Sequence, residues 1–471
     1  MNIETLAKRY ARLPDAWKVV PLGTVLSNII GGGTPSRNDL SYWGGDIPWL
    51  TVKDMRSRRP AAAQEHITAR AVAESATSII PSDTVITATR VGLGKVVRVP
   101  YAAAINQDLK ALIPGPELDK SYLEYWIVSI ATFLESIGSG TTVKGIRLET
   151  LRQLPFPLAP LAEQREIVAE IEKQFSRLDE AVANLQRVKA NLKRYKASVL
   201  KDAVEGRLVP LEAELARREG RSFETGGQLL QRILETRKNE WAGRGKYEEP
   251  PAVETGGLTN LPVGWVWASA EQVSTFITKG TTPAAEKLLD AGTGGVQFLK
   301  VYNLTFDGTL NHTYKPAFVS RTTHESELLR SQVLAGDVLI NIVGPPLGQV
   351  SVVPSTMAEA NMNQAIARFR PIKPLSTRFV AHALMTESIM AWAIRKAKTT
   401  AGQTNLTLDL CRRLPISLPP LAEQDRIVAE VDRRLSLILG VQAEVDANLK
   451  RAQALRQATL AWAFGAGSGQ I

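Results

Sequence analysis

One twelve-residue stretch occurs twice in this 471-residue chain and constrains the fold more than any other feature. Pro160 to Ile171 reads PLAEQREIVAEI and Pro420 to Val431 reads PLAEQDRIVAEV; nine of the twelve positions are identical, 260 residues apart. Each copy follows a Leu-Pro pair, Leu154-Pro155 and Leu414-Pro415, and each opens a long run whose apolar residues are spaced alternately three and four apart. In the first run these are Val168, Ile171, Phe175, Leu178, Val182 and Leu185, then, after a slip, Val188, Leu192, Tyr195 and Val199. In the second they are Val428, Val431, Leu435, Ile438, Val445, Leu449, Ala452 and Leu455. That spacing is the seam of a helix packed lengthwise on another helix. A run of about forty residues at 1.5 Å each makes a rod of roughly 65 Å. An amphipathic rod that long needs a partner, and the chain contains its twin, so the expectation is an antiparallel intramolecular pair. Pro160 and Pro420 at the starts, Glu163 and Glu423 in the first turns, and Gly206 and Gly465 at the ends punctuate the two runs.

What precedes each rod is also repeated, more loosely. Leu13-Pro14 with Trp17 recurs as Leu261-Pro262 with Trp265, Gly33-Thr34-Pro35 as Thr281-Thr282-Pro283, and Trp49-Leu50 as Phe298-Leu299. Asp83 to Ile86 recurs as Asp337 to Ile340, Gly94 as Gly348, and Asn106-Gln107 as Asn363-Gln364. The offset drifts from 248 to 257 along the domain and reaches 260 in the rods, so the rods are held alike while the domains vary. Within the first copy, Ile47–Lys53, Thr84–Ala88 and Val96–Val99 read as strands and Ser121–Ile137 as a helix. The predicted organisation is an arm over 1–12, an α+β domain over 13–159, and a first rod over 160–206. A helical segment and linker follow over 207–260, a second α+β domain over 261–419, a second rod over 420–465 and a tail over 466–471. Two α+β domains held by antiparallel coiled-coil helices have approximate two-fold symmetry, which suits a partner such as duplex DNA with two half-sites.

Composition is globular, 44% hydrophobic and 22% charged, with a net charge of +10 that fits a polyanion partner. Cys411 is the single cysteine, so an internal disulfide or cysteine-rich zinc site is excluded. The charged N-terminus MNIETLAKRYARLPDAW reads as neither signal peptide nor anchor, and no run reaches the roughly 20 apolar residues of a membrane span, which points to a cytoplasmic protein. His66, His312, His324 and His382 lack metal-ligand spacing. Val91-Gly92-Leu93-Gly94-Lys95 lacks the spacing of a phosphate loop, and Gly344-Pro345-Pro346-Leu347 lacks the flanking polar and aromatic residues an adenine methyltransferase needs; both read as turns. No catalytic residue and no metal ligand is expected.

The layout resembles the specificity (S) subunit of type I restriction-modification systems over nearly the whole chain. The resemblance rests on the paired Leu-Pro…Pro-Leu-Ala-Glu-Gln segments, the Leu-Pro…Trp openings, the segment Gly140-Thr141-Thr142-Val143-Lys144-Gly145-Ile146, and the rod end from Leu200 to Pro210. The second copy departs from the pattern at Ala401–Leu406 and at Leu460–Gly465. The resemblance implies two target-recognition domains, each reading half of a bipartite, asymmetric sequence in double-stranded DNA, with the rods as ruler and docking surface for two methyltransferase (M) subunits. S-adenosylmethionine, ATP and magnesium would then be bound by partner subunits and none by this chain, with restriction (R) subunits joining where the system cleaves. Base readers are expected on loops: Lys53, Arg90, Lys95, Lys144 and Arg147 in the first domain, and Lys300, Tyr302, Asn303, Gln349, Gln403 and Asn405 in the second. The stripe Arg56-Ser57-Arg58-Arg59 is expected on phosphate or in solvent. Two other readings stay open from the residues: a coiled-coil scaffold that binds protein, which shows no salt-dependent duplex binding, and a self-sufficient methyltransferase, which binds S-adenosylmethionine alone.

Overall fold

A computed structural model describes residues 3–140, 144–240, 246–290, 294–400 and 403–465, with backbone alone at 398–400 and 403. Thr141–Val143, Ala401–Gly402 and the tail 466–471 lie outside the described residues. The chain forms two compact units, Met1–Arg187 with Asp446–Ile471, and Val188–Val445.

In the first unit, strand Lys18–Pro21 pairs antiparallel with Pro155–Leu158, so the domain's first and last strands close on each other. The closing strand begins at Pro155, where a missing N–H costs little in a two-stranded ribbon, and it leads directly into the long helix Leu161–Val204. Between these strands lie two four-stranded sheets. One orders Leu26–Gly31, Leu109–Pro114, Val85–Ala88 and Val96–Val97, all antiparallel. The other orders Glu65–Ile67, Trp43–Leu50, Ala103–Ile105 and Ile79–Ile80, with a parallel pair at its centre, Leu50 opposite Ile105. An aromatic node anchors the main core: Tyr122 stands edge-on to Trp17, Phe156 and Phe464 at 6.3, 5.9 and 5.0 Å.

The second unit repeats this plan. Val266–Ser269 pairs with Pro415–Leu418 before the long helix Leu421–Ala463. Ser274–Lys279, Ile366–Pro371, Val338–Asn341 and Val350–Val352 form a sheet in the same order as their counterparts. A further sheet carries the parallel pair Leu299 opposite Met362.

The side chains of the repeated stretch explain why it is repeated. The carbonyls of Pro160 and Pro420 accept the first helical bonds from the N–H groups of Gln164 and Gln424, both 3.0 Å, so each proline is the N-cap. Glu163 accepts from the Trp17 indole N–H at 2.8 Å and Glu423 from that of Trp265 at 3.1 Å. Gln164 accepts from the N–H of Asp119 at 2.8 Å and donates to Glu117 O and Ala159 O. Gln424 accepts from the N–H of Ser376 at 3.2 Å and donates to Pro419 O. Asp119 and Ser376 are themselves N-caps of helices Lys120–Ser129 and Thr377–Leu384. Glu and Gln therefore tie the long helix to the domain's opening strand and to one of its helices. The two latches differ in burial. Glu163 is half-buried, whereas Glu423 is fully buried, also accepts from Glu212 N–H at 3.0 Å, and has its carboxyl pushed up by burial. Trp265→Phe strands a buried acceptor and is expected to cost about 1–3 kcal/mol, and Trp17→Phe less; urea unfolding of the two variants checks the order.

Each unit contains the start of one long helix beside the end of the other, which makes the pairing antiparallel. In the first, Val168, Ile171 and Phe175 share a core with Leu460, Ala463 and Phe464, and Arg456 pairs with Asp179. In the second, Val199, Leu200 and Ala203 share a core with Ile427, Val431, Leu435 and Ile438. Val445 and Ala452 are buried, and Leu178, Val182, Leu185, Val428 and Leu449 are half-buried. Three seam assignments are corrected: Val188, Tyr195 and Leu455 are exposed, Leu455 to 54%. Ile167 and Ile427, absent from the sequence-derived seam, are buried.

Four further expectations change. Ser121–Ile137 is two helices, Lys120–Ser129 and Ala131–Ile137, broken at Ile130. Arg58 and Arg59 do not face solvent alone: Arg59 holds the fully buried Glu124 with two bonds of 2.7 Å, Arg98 and Arg58 stand 3.4 and 3.7 Å from it, and Arg58 lies over the Tyr125 ring. The strand beginning at Val85 aligns with Val338, because Val85 opposes Leu112 and Val338 opposes Phe369. Asp83 therefore matches Gly336, both with positive φ, and not Asp337. The linker before the second domain is strapped to it: Ser269 Oγ donates to Pro251 O at 2.8 Å, and Glu254 pairs with Lys396 at 2.6 Å.

Candidate nucleic-acid interface

In the first domain, five loops meet at one edge because their backbones bond to each other. Gly33 N–H donates to Ile105 O, Asn106 N–H to Leu50 O, Thr89 N–H to Asp108 O, and Ile146 N–H to Thr89 O, at 2.8–3.0 Å. A Cβ at Gly92 would stand 3.2 Å from Val52 Cγ1 and from Lys95, so the turn bearing Lys95 lies against the turn bearing Lys53. Val91, Gly92 and Gly94 all have positive φ, which makes Val91–Lys95 the tight turn expected of it. The edge carries Lys53, Arg90, Lys95, Lys144 and Arg147, all exposed. Arg90 stands 3.5 Å from Asp108.

The second domain builds the same edge. Ile342 N–H donates to Ala365 O at 2.8 Å and Leu406 N–H to Ile342 O at 2.9 Å, matching the bonds of Thr89 and Ile146. Asn363 N–H donates to Leu299 O at 3.0 Å, as Asn106 does to Leu50. The carbonyls of Lys95 and Gln349 each accept from the strand ahead, from Ala88 and Asn341. These bonds pair the positions across the repeat: Lys53 with Tyr302, Arg90 with Val343, Lys95 with Gln349, Lys144 with Thr404, Gly145 with Asn405 and Arg147 with Thr407. Arg147 and Thr407 are both N-caps of short helices, Leu148–Arg152 and Leu408–Arg412.

A stapled 3₁₀ turn presents the first of these pairs. Asp54, 5% exposed, accepts from the N–H groups of Thr51 and Gln64, both 2.8 Å. Asn303, 2% exposed, accepts from Lys300 N–H at 2.8 Å and donates to Asn311 O and Tyr314 O, both 2.9 Å. Asn303 is thus removed from the base-reading set: its amide is used inside the fold, and it holds Tyr302 outward. Tyr302 donates its hydroxyl proton to Lys315 O at 3.0 Å and stands edge-on to Tyr314. Lys300 is half-buried at the position of Thr51. Gln349 donates to Leu304 O at 2.9 Å. Gln403 lies in the strand Gln403–Asn405, its side chain outside the described set. Among the described residues Asn405 Oδ1 and Asn363 Oδ1 are buried without a hydrogen-bond partner. The counterpart of Asn363, Asn106, accepts from Asp108 N–H at Oδ1 and donates Nδ2 to the Asp108 carboxylate, and that carboxylate is lost where Ala365 stands at the position of Asp108.

Sequence reasoning missed Gln107, Lys110 and Gln364 on these edges. Gln107 is exposed and bonds Thr34 Oγ; Lys110, half-buried, donates to Gln107 O at 3.0 Å, and burial pulls its ammonium pKa down. The recurrence of Asn-Gln at 106–107 and 363–364 was the available signal. Elsewhere, His324 bonds Asn361 at 2.7 Å and Glu359 at 3.0 Å, and the Cys411 thiol is buried and pushed up to about 12. Among the described residues no group of three His, Cys, Asp or Glu is placed to hold a metal ion, and no helix is long and apolar enough to cross a membrane.

One loop-bearing domain is thus built twice, with different side chains on the same backbone edge. The chain belongs to the family described as the type I restriction modification DNA specificity domain, which matches it over residues 14–194 and again over 262–440. It is 29% identical over 174 residues to the MjaIX specificity subunit of Methanocaldococcus jannaschii, a match covering 36% of this chain and 40% of that one. The chain spans about two fifths of that relative and of the EcoR124I/EcoR124II specificity subunit of Escherichia coli, which it matches at 31% identity over 32% of its own length. A chain from a structure on complex assembly and conformational transition of the type I R-M system superposes with a TM-score of 0.64 at 19% identity, over 97% of this chain and 99% of that one, and shares its fold.

Proposed function

We propose that this chain is the non-catalytic DNA-specificity subunit of a type I restriction-modification complex. In this reading residues 13–159 and 261–419 each recognise one half of a bipartite, asymmetric target in cytoplasmic DNA. The long helices dock two methyltransferase subunits, and restriction subunits join where cleavage follows. Adenine methylation and ATP-dependent cleavage, with S-adenosylmethionine, ATP and magnesium, belong to those partners. The observation that carries the reading is the pairing of loop positions across the repeat: the backbone bonds are kept while the side chain changes, Lys53 to Tyr302 and Lys95 to Gln349. A fixed frame with exchanged side chains is what two different half-sites require.

The test compares methylated adenines in DNA from cells making the methyltransferase subunits with and without this chain. A bipartite motif methylated only with the chain present is the expected result. A motif independent of the chain, or no salt-dependent binding of the assembled complex to duplex DNA, sinks the reading and leaves the scaffold.

A further inference from the structure

The two loop edges differ in hydrogen-bonding character. Lys53, Arg90, Lys95, Lys144 and Arg147 of the first domain stand where the second has Tyr302, Val343, Gln349, Thr404 and Thr407. Lysine and arginine side chains only donate. On the second edge the amides and hydroxyls also offer acceptor oxygens. Gln349 donates one of its two Nε2 hydrogens to Leu304 O, and Tyr302 its hydroxyl hydrogen to Lys315 O. Asn363 Oδ1 and Asn405 Oδ1 are buried acceptors with no donor among the described residues. A buried acceptor left unpaired is costly, so its presence at an edge already assembled from loops points to a donor arriving from outside. Lys279 and Lys300 are the second edge's own cations, at the positions of Gly31 and Thr51, and they suit phosphate.

Building on the proposed function, we propose that the two half-sites are read with opposite polarity. The first domain offers donors and takes base edges rich in acceptors, O6 and N7 of guanine. The second offers amide and phenol oxygens and takes exocyclic amino groups, N6 of adenine or N4 of cytosine.

The experiment uses the chain assembled with its methyltransferase subunits and duplexes carrying the motif found by mapping. Lys53→Tyr with Lys95→Gln, both at exposed positions, is expected to reduce discrimination at one or two base pairs of one half-site by roughly ten- to a hundredfold and leave the other half alone. Gln349→Leu with Asn405→Leu is expected to do the same to the other half-site. Because Asn405 Oδ1 has no partner among the described residues, Asn405→Leu alone should leave Tm unchanged or raised; a structural asparagine would lower it. Replacing guanine by 7-deazaguanine in the first half-site should weaken binding of the unsubstituted chain about tenfold and that of the lysine double variant not at all. Discrimination unchanged in both double variants, or either variant altering both halves, overturns the polarity assignment while the bipartite motif stands. A complex with no bipartite motif fails at the earlier reading instead.

Discussion

Ile171→Lys combined with Val431→Lys is expected to abolish a soluble, assembled chain. The two residues occupy the same place in the repeated stretch, and both are buried, one in each unit. Each loses about 1.5–3 kcal/mol of apolar burial. Each also places an ammonium among apolar side chains, with Val168, Phe175 and Leu460 around position 171 and Ile427, Leu435 and Val199 around position 431. An unpaired buried charge adds several kcal/mol more, and a domain's whole stability is only about 5–15 kcal/mol. Leu455→Lys is the control: the same chemistry at an exposed position on the same helix is expected within about 0.5 kcal/mol of the unsubstituted chain. Soluble yield and circular-dichroism melting check both. A folded double variant would mean that these helices are held by something other than their shared core.

Asp337→Ala carries the second largest expected effect. Asp337 is buried, holds Arg370 through two bonds of 2.7 Å, accepts from Leu334 N–H at 2.8 Å, and stands 3.8 Å from the buried Arg368. Burial already draws the Arg368 guanidinium down to about 10, with Asp337 opposing that shift. Removing the carboxylate leaves two guanidiniums, one of them buried, facing each other without a counter-charge. Breaking a buried pair in this way costs about 3–5 kcal/mol, read as a lowered urea midpoint. The exposed Arg70–Glu74 pair is the contrast, and Glu74→Ala is expected to move the midpoint by nothing measurable.

The doubled architecture was legible because a seam and its capping residues are local patterns. Leu154-Pro155 before PLAEQ announced the helix that follows, and Trp17 with Trp265 marked the openings that the two glutamates hold. The seam failed where the slip to Val188 left the register: Val188 and Tyr195 are exposed, whereas Leu192 and Val199, which keep the seven-residue spacing from Leu185, are half-buried and buried, with Leu200 and Ala203 packed beside Val199. Single-residue register was also beyond a pattern reading. Asp83 and Gly336 share a left-handed backbone, whereas the letters favour matching Asp83 to Asp337.

The loop edge was legible in part. Lys53, Lys95, Tyr302 and Gln349 stand on it, but no sequence feature paired Lys53 with Tyr302, because the pairing rests on backbone bonds between loops far apart in the chain. Asn303 was misread because an asparagine that caps a turn and one that reads adenine carry the same amide. Arg58 and Arg59 were misread because their partner, Glu124, lies on a helix more than sixty residues on.

The central claim is that each domain specifies its own half of one target. Its most direct measurement is the map of methylated adenines in DNA from cells making the methyltransferase subunits with a chimera. In that chimera residues 261–413 are exchanged for the matching segment of a relative, and Pro415–Leu418 and the long helix are left in place. The account predicts a bipartite motif in which one half is replaced and the other is unchanged. A motif altered in both halves, or in neither, contradicts it.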